Sequence, residues 1–211
     1  MINFLNNIRV PDKNIKVKDK IINTSLIFLL GILLGAFSKW LDNMVIDDTI
    51  WYQKILGILD LGNVLSELEI WLFIAITISV FSKTPLRAGL NVFLFFIGMT
   101  VSYHLYSIYF SGFNPMEYMM KWYSISLISP ILAFVGWYSK GENFISIIIS
   151  SLIICIMMNL CFSIGIWYFD FKSLIDFMAF VGTIAVLYVK PKNTLYSLII
   201  AFPLAFIACN I

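Results

Sequence analysis

Long apolar runs separated by short polar connectors make up most of the chain, covering about 21–41, 65–82, 90–110, 122–139, 144–166, 174–189 and 194–211. A bilayer's hydrocarbon core requires about 20 apolar residues in helical form, because each residue rises about 1.5 Å and the backbone must satisfy its own polar groups. All seven runs approach that length, and 174–189 is the shortest. The pattern predicts an all-α fold, a polytopic transmembrane helical bundle of about seven spans. A basic segment over 1–20 precedes a single helical domain over 21–211. The connectors TPLRAG at 84–89, SKGEN at 139–143 and KPKN at 190–193 leave no room for a second domain. In the long connector after the first run, Ile55, Leu59, Gly62 and Ser66 share a helical face, which predicts a weakly amphipathic interfacial helix over 50–66. Pro130 and Pro203 fall inside runs and predict kinks, because each frees a carbonyl that another group must satisfy.

Composition makes lipid the solvent. Hydrophobic residues are 61% of the chain and charged residues 12%, too few to coat a water-facing surface of this size. A cleavable leader would end near Ala36 and Ser38. The apolar stretch reaches back to Ile21, however, so an uncleaved first helix is expected. A formal net charge of +2 argues against a nucleic-acid partner.

The distribution of that charge sets an orientation. Arg9, Lys13, Lys16, Lys18 and Lys20 precede the first run, and strict alternation puts Lys83, Arg87, Lys190 and Lys192 on the same side. The first long loop carries Asp42, Asp47, Asp48, Asp60, Glu67 and Glu69 against Lys39 and Lys54, on the other side. Lysine and arginine in short loops mark the cytoplasm, so Met1 is expected inside and Ile211 outside a cell membrane crossed many times. The six tryptophans mostly sit near run ends, where an amphipathic ring prefers the interface.

Polar groups within spans are the candidates for chemistry. His104, Asn159 and Asp176 lie toward the outer halves of their runs and are the candidate ligand-binding residues. For each there is a plainer role: His104 bonded to a neighbouring helix, Asn159 within the packing stripe Ser151, Cys155, Asn159 and Ser163, and Asp176 capping a helix. Gly31 and Gly35 form a small-xxx-small pair, and Asn91, Gly98 and Ser102 align on one face, as expected of helix packing or a partner contact. The three cysteines show neither a disulfide framework nor metal-ligand spacing. HExxH and GxSxG are missing, and one histidine excludes metal centres built on several, so no enzyme, metal or cofactor is implied.

The strings SKTPLRAGLNVFLFFIGMTVSYHLYS at 82–107 and GFNPMEYMMKWYSISLISPILAFVGWYSKG at 112–141 resemble an uncharacterised family of small bacterial polytopic membrane proteins. That resemblance implies a helical membrane fold and carries no activity with it. In plan the chain is also similar to the substrate-binding S components of energy-coupling-factor uptake systems, which meet a partner through small-residue seams. It differs in lacking glycine-rich substrate loops and in its seven runs. Two functions follow as expectations. One is a small-molecule transport or ligand-binding membrane component, with His104, Asn159 and Asp176 converging on an outward cavity. The alternative is a non-catalytic accessory or assembly subunit that contacts another membrane subunit, with the lipid bilayer as partner in either case.

Overall fold

The computed structural model describes residues 2–12, 14, 16–47, 49–165 and 167–209. Met1, Lys13, Asp48, Ile166 and Ile211, which enter the charge and span readings above, lie outside the described residues.

The elements in order are α1 (Ile2–Ile8), α2 (Val17–Asp42), α3 (Trp51–Ile58), α4 (Leu61–Ser66), α5 (Glu69–Phe81), α6 (Pro85–Phe110) and α7 (Met116–Trp137). A 3-10 turn (Tyr138–Lys140) leads to α8 (Phe144–Cys161), strands β1 (Phe162–Ile164) and β2 (Phe169–Phe171), α9 (Leu174–Leu187) and α10 (Pro191–Cys209). The fold is an all-α bundle of membrane type.

Five helices, not seven, are long and apolar enough to span among the described residues: α2, α6, α7 with its 3-10 turn, α8 and α10. The shortfall lies in α5 and α9, with 13 and 14 residues. Each is about 20 Å of helix against about 30 Å of hydrocarbon. Acidic residues shorten the first of them. The backbone is extended at Glu67 (φ −96°, ψ 169°), which divides the run at 65–82 into α4 and α5. A β-hairpin ends α8 early, since Phe162 pairs with Phe171 and Ile164 with Phe169, so the expected helix over 144–166 stops at Cys161.

Two connectors read as loops prove to be helix starts. Thr84 accepts a hydrogen bond from the Arg87 amide at 3.3 Å and Pro85 follows at the first helical position, so α6 begins five residues before the apolar run. Pro191 opens α10 in the same way. Inside α7, Pro130 frees the Ser126 carbonyl, and the Ser129 hydroxyl donates to it at 2.9 Å.

The helices run between two chemically distinct ends. At the basic end Arg87 Nη2 donates to Lys20 O at 2.9 Å, Lys83 pairs with Asp12 at 3.1 Å, and Lys190 pairs with Glu142. At the acidic end lie Asp42, Glu67, Glu69 and the hairpin that carries Asp170. The chain passes from one end to the other through α2, α5, α6, α7, α8, α9 and α10 in turn. Helix α5 is central. Its Trp71 and Ala75 join a core with Val92, Phe95, Met99 and Trp122, while its Ile76 and Val80 join a second core with Ile154, Met157, Phe180 and Ala201. Leu29 and Leu33 of α2 and Ile199 and Phe202 of α10 point outward and are exposed, as lipid-facing side chains should be.

The two small-residue seams meet each other. A Cβ on Gly31 would stand 2.3 Å from the Phe95 carbonyl oxygen, and one on Gly98 would stand 2.8 Å from that of Phe28. Helices α2 and α6 therefore run parallel with their backbones in contact. Asn91 closes the basic end of this seam, accepting from Thr24 Oγ1 at 2.8 Å and donating to Ser82 Oγ at 3.2 Å. Ser102, next to Gly35, donates to Met99 O at 3.0 Å.

Candidate functional site

Lys39 and Asp42 lie three residues apart in the last turns of α2 and share a face. The apolar run around them carries this face into the bundle, where Tyr103 of α6 and Tyr118 of α7 meet it. Lys39 is only 6% exposed. Its ammonium lies 3.8 Å from Asp42 Oδ2, and the Tyr103 hydroxyl donates to that same oxygen. The rings of Tyr103 and Phe113 stand 5.3 and 5.0 Å from the ammonium, within cation–π range. Among the described residues no group accepts a hydrogen bond from Lys39. The Lys39 side chain is thus largely buried with its charge balanced by Asp42, and its ammonium donors are left to water or to an acceptor from outside the bundle.

A cavity of about 10 Å³ adjoins this cluster, lined by Ser38, Trp71, Met99, Tyr103, Tyr118 and Trp122 among others. That is room for about one water. Tyr118 donates to Ser66 O at 3.2 Å, and Trp71 Nε1 to Leu65 O at 2.9 Å, so α4 is fastened over the cavity by its carbonyls.

His104 sits at the same end on another face of α6. Its Nε2 lies 2.8 Å from Asn114 Oδ1 and its Nδ1 3.0 Å from Tyr123 Oη. With the amide oxygen accepting, Nε2 carries the proton and Nδ1 accepts from the phenol. The histidine therefore fixes the 112–115 loop to α6 and α7.

Asn159 and Asp176 have partners of their own. Asn159 joins α8 to α10, accepting from the Cys209 thiol and lying 3.9 Å from Cys155 Sγ. Asp176 closes a cap at the start of α9: the Ser173 hydroxyl donates to its carboxylate at 2.8 Å and accepts from its backbone amide at 3.1 Å. Among the described residues no hydrogen bond or ion pair joins His104, Asn159 and Asp176, and none of them lines the cavity beside Tyr103. The expected convergence on one cavity is not found. Each polar group has separate local partners, His104 in α7 and the 112–115 loop, Asn159 in α8 and α10 and Asp176 in the cap of α9, so nothing forces the three together.

A second group of charges, Glu67, Glu69 and Lys172, lies at the acidic end, and in the sequence it shows only as loop charge. Glu69, 2% exposed, accepts from Lys172 Nζ at 3.1 Å through Oε1, while its Oε2 has no partner among the described residues. Glu67 lies 3.6 Å from the same ammonium. Partial burial, and next the neighbouring Glu69, push the Glu67 carboxyl above its usual range. Partial burial opposes the charge on Lys172, but the two carboxylates prevail and raise its pKa.

At the opposite end Arg9 is more than a topogenic charge. It donates to Trp137 O at 2.6 Å and Val80 O at 3.0 Å and lies 4.0 Å over the Trp137 ring. One guanidinium thereby satisfies terminal carbonyls of both α5 and α7. Burial pushes its pKa down to about 10, which leaves it charged at neutral pH. Lys39 and Glu69 share a sequence signal, a charge at the margin of an apolar run, but that signal is equally that of a solvated loop residue, and Arg9 is hidden among the basic residues of 1–20. No family model, no curated protein and no solved structure matches the chain.

Proposed function

We propose that the chain is a ligand-binding component of a cell membrane, oriented with the basic end in the cytoplasm, and that it holds a small anionic group at Lys39. The single observation that supports this reading is a largely buried lysine side chain whose ammonium makes no hydrogen bond to any described residue. An incoming carboxylate would supply acceptors for its donors in a site of low polarity, where a charge-assisted hydrogen bond is strong. Tyr103 and Tyr118 stand beside it with their hydroxyl protons already committed to Asp42 and to Ser66 O, so the ammonium is the donor that an anion would meet. Entry requires α4 to part from the surface of Tyr103 and Tyr118, because the cavity there holds about one water.

The test is thermal unfolding of the purified protein in lipid nanodiscs with acetate, succinate, glutamate and phosphate, for the parent and for Lys39→Met. Saturable stabilisation of the parent by at least one of these, absent in Lys39→Met, is the expected result. A parent indifferent to all four would remove the reading.

An accessory role is favoured by a different feature. The hairpin presents Trp167, 94% exposed, and Tyr168, Phe169 and Phe171 beside it. Aromatic side chains in this number at one end suit either a partner subunit or the membrane interface. A photo-crosslinker at Tyr168 would trap a protein partner under the accessory reading and lipid alone otherwise.

A further inference from the structure

We propose that a cavity at the basic end, between the 3-10 turn, α8, α9 and α10, binds a single monoatomic anion of chloride size. It lies at the opposite end of the bundle from Lys39 and does not depend on that proposal. Its volume is about 10 Å³, and its polar lining is made of serine, threonine and asparagine side chains. Most of these are already committed. Ser150 donates to Ser139 O at 3.1 Å, Ser197 to Ile147 O at 3.3 Å, Thr194 to Lys190 O at 3.2 Å and Asn193 to Glu142 O at 3.3 Å.

Two hydroxyls are left over. Ser139 and Ser146 are 2% and 1% exposed, both line the cavity, and neither Oγ has a hydrogen-bond partner among the described residues. A buried hydroxyl without a partner costs free energy, and here two border one small space. The cavity therefore calls for an occupant that accepts hydrogen bonds.

The surroundings select its charge. Helix α8 begins at the cavity rim, and Asn143, which precedes it, makes no side-chain cap; its amide group donates to Asn7 O instead. Asn143 therefore takes up none of the first-turn amides of α8. Helix α10 starts at the same rim, adding a second positive dipole end. Helix α9 ends at the same cavity with Leu187, and Lys140, which follows Ser139, offsets that carbonyl end by donating to Val186 O. Lys190 also stands at the rim, paired with Glu142, the carboxylate there. With Lys140 set against the carbonyl end of α9 and Lys190 against Glu142, the two helix N-termini are what disfavours a cation.

Size completes the choice. Ile147, Ile154 and Leu187 form the apolar remainder of the wall, so the space holds one body of about water size and not the four oxygens of a phosphate; a halide, larger than a water, enters as this wall gives slightly. Water would satisfy the hydroxyls but leave the positive helix ends uncompensated. A halide does both.

The full-length protein is unfolded thermally in sodium chloride, sodium bromide and sodium gluconate at equal ionic strength. The expected result is a saturable rise of a few degrees in either halide over gluconate, lost in the double variant Ser139→Ala, Ser146→Ala and kept in Lys39→Met. Equal midpoints in all three salts, or an unchanged halide effect in the double variant, overturn the proposal. Should the double variant fail to fold, crystals of the parent soaked in bromide decide. An anomalous peak within hydrogen-bond distance of both hydroxyls is expected, and water alone in the cavity overturns it.

Discussion

Gly35 in α2 faces the backbone of Met99 in α6 so closely that a methyl group on Gly35 would stand 2.2 Å from the Met99 carbonyl oxygen. The obstacle is backbone, which cannot rotate away. Gly35→Ala is expected to destabilise the bundle by about 1–3 kcal/mol, the usual cost of overpacking. Gly62→Ala, with nothing within 4 Å of the new methyl group, should change stability by less than about 0.5 kcal/mol. Unfolding of both variants in mixed detergent measures the difference, and equal stability would mean that the α2–α6 contact is looser than this geometry.

That seam shows what was legible in the sequence. The spacing of Gly31 and Gly35, and of Asn91, Gly98 and Ser102, gives each helix its contact face. Nothing in one sequence says that the two faces meet each other. Hydropathy likewise finds the helices but not their ends. It counts Glu67 and Glu69 into a run that the extended backbone at Glu67 breaks, and it merges into α8 the Phe162–Phe171 hairpin, whose aromatic residues are apolar in either conformation. Thr84 followed by Pro85 was a readable start signal for α6 hidden in an apparent connector. The candidate site was the least legible. Lys39 is set apart by burial beneath Tyr103 and Phe113, which depends on three segments distant in sequence.

Arg9 caps two helices at once, so Arg9→Met should cost about 2 kcal/mol, mainly from the carbonyls of Val80 and Trp137 left without their charged donor. Arg9→Lys should recover part of this, because an ammonium lacks the planar fork that reaches both carbonyls. Chemical denaturation of the three proteins provides the ranking. A methionine variant as stable as the parent would return Arg9 to a purely topogenic role.

Glu67 gives a pH dependence of defined sign. Its folded pKa lies above the ordinary 4.5, so the folded chain holds this proton more tightly than the unfolded chain does. The stability it contributes is present below about 4.5 and is lost as pH rises through the raised folded value. Glu67→Gln should therefore match the parent at acid pH and be slightly more stable than it above that window. A glutamine variant less stable at neutral pH would show that the pair with Lys172 outweighs the burial of Glu67.

Helix α9 is expected to cross the membrane despite its length. Its 14 residues give about 21 Å of helix, so thickness alone favours a re-entrant path. Charge favours crossing. Asp170 precedes α9 at the acidic end and Lys190 follows it at the basic end, where the pair with Glu142 holds it beside α8. Folding α9 back would carry Lys190 and Lys192 to the side opposite Lys83 and Arg87, against the tendency that orients the other spans. Asp170 and Lys192 are both exposed, so each can be replaced by cysteine with little disturbance, in a background lacking Cys155, Cys161 and Cys209. An impermeant maleimide should label Asp170→Cys on intact cells and Lys192→Cys only after permeabilisation. Labelling of both from outside would make α9 re-entrant, put Lys190 outside and reverse α10 with it.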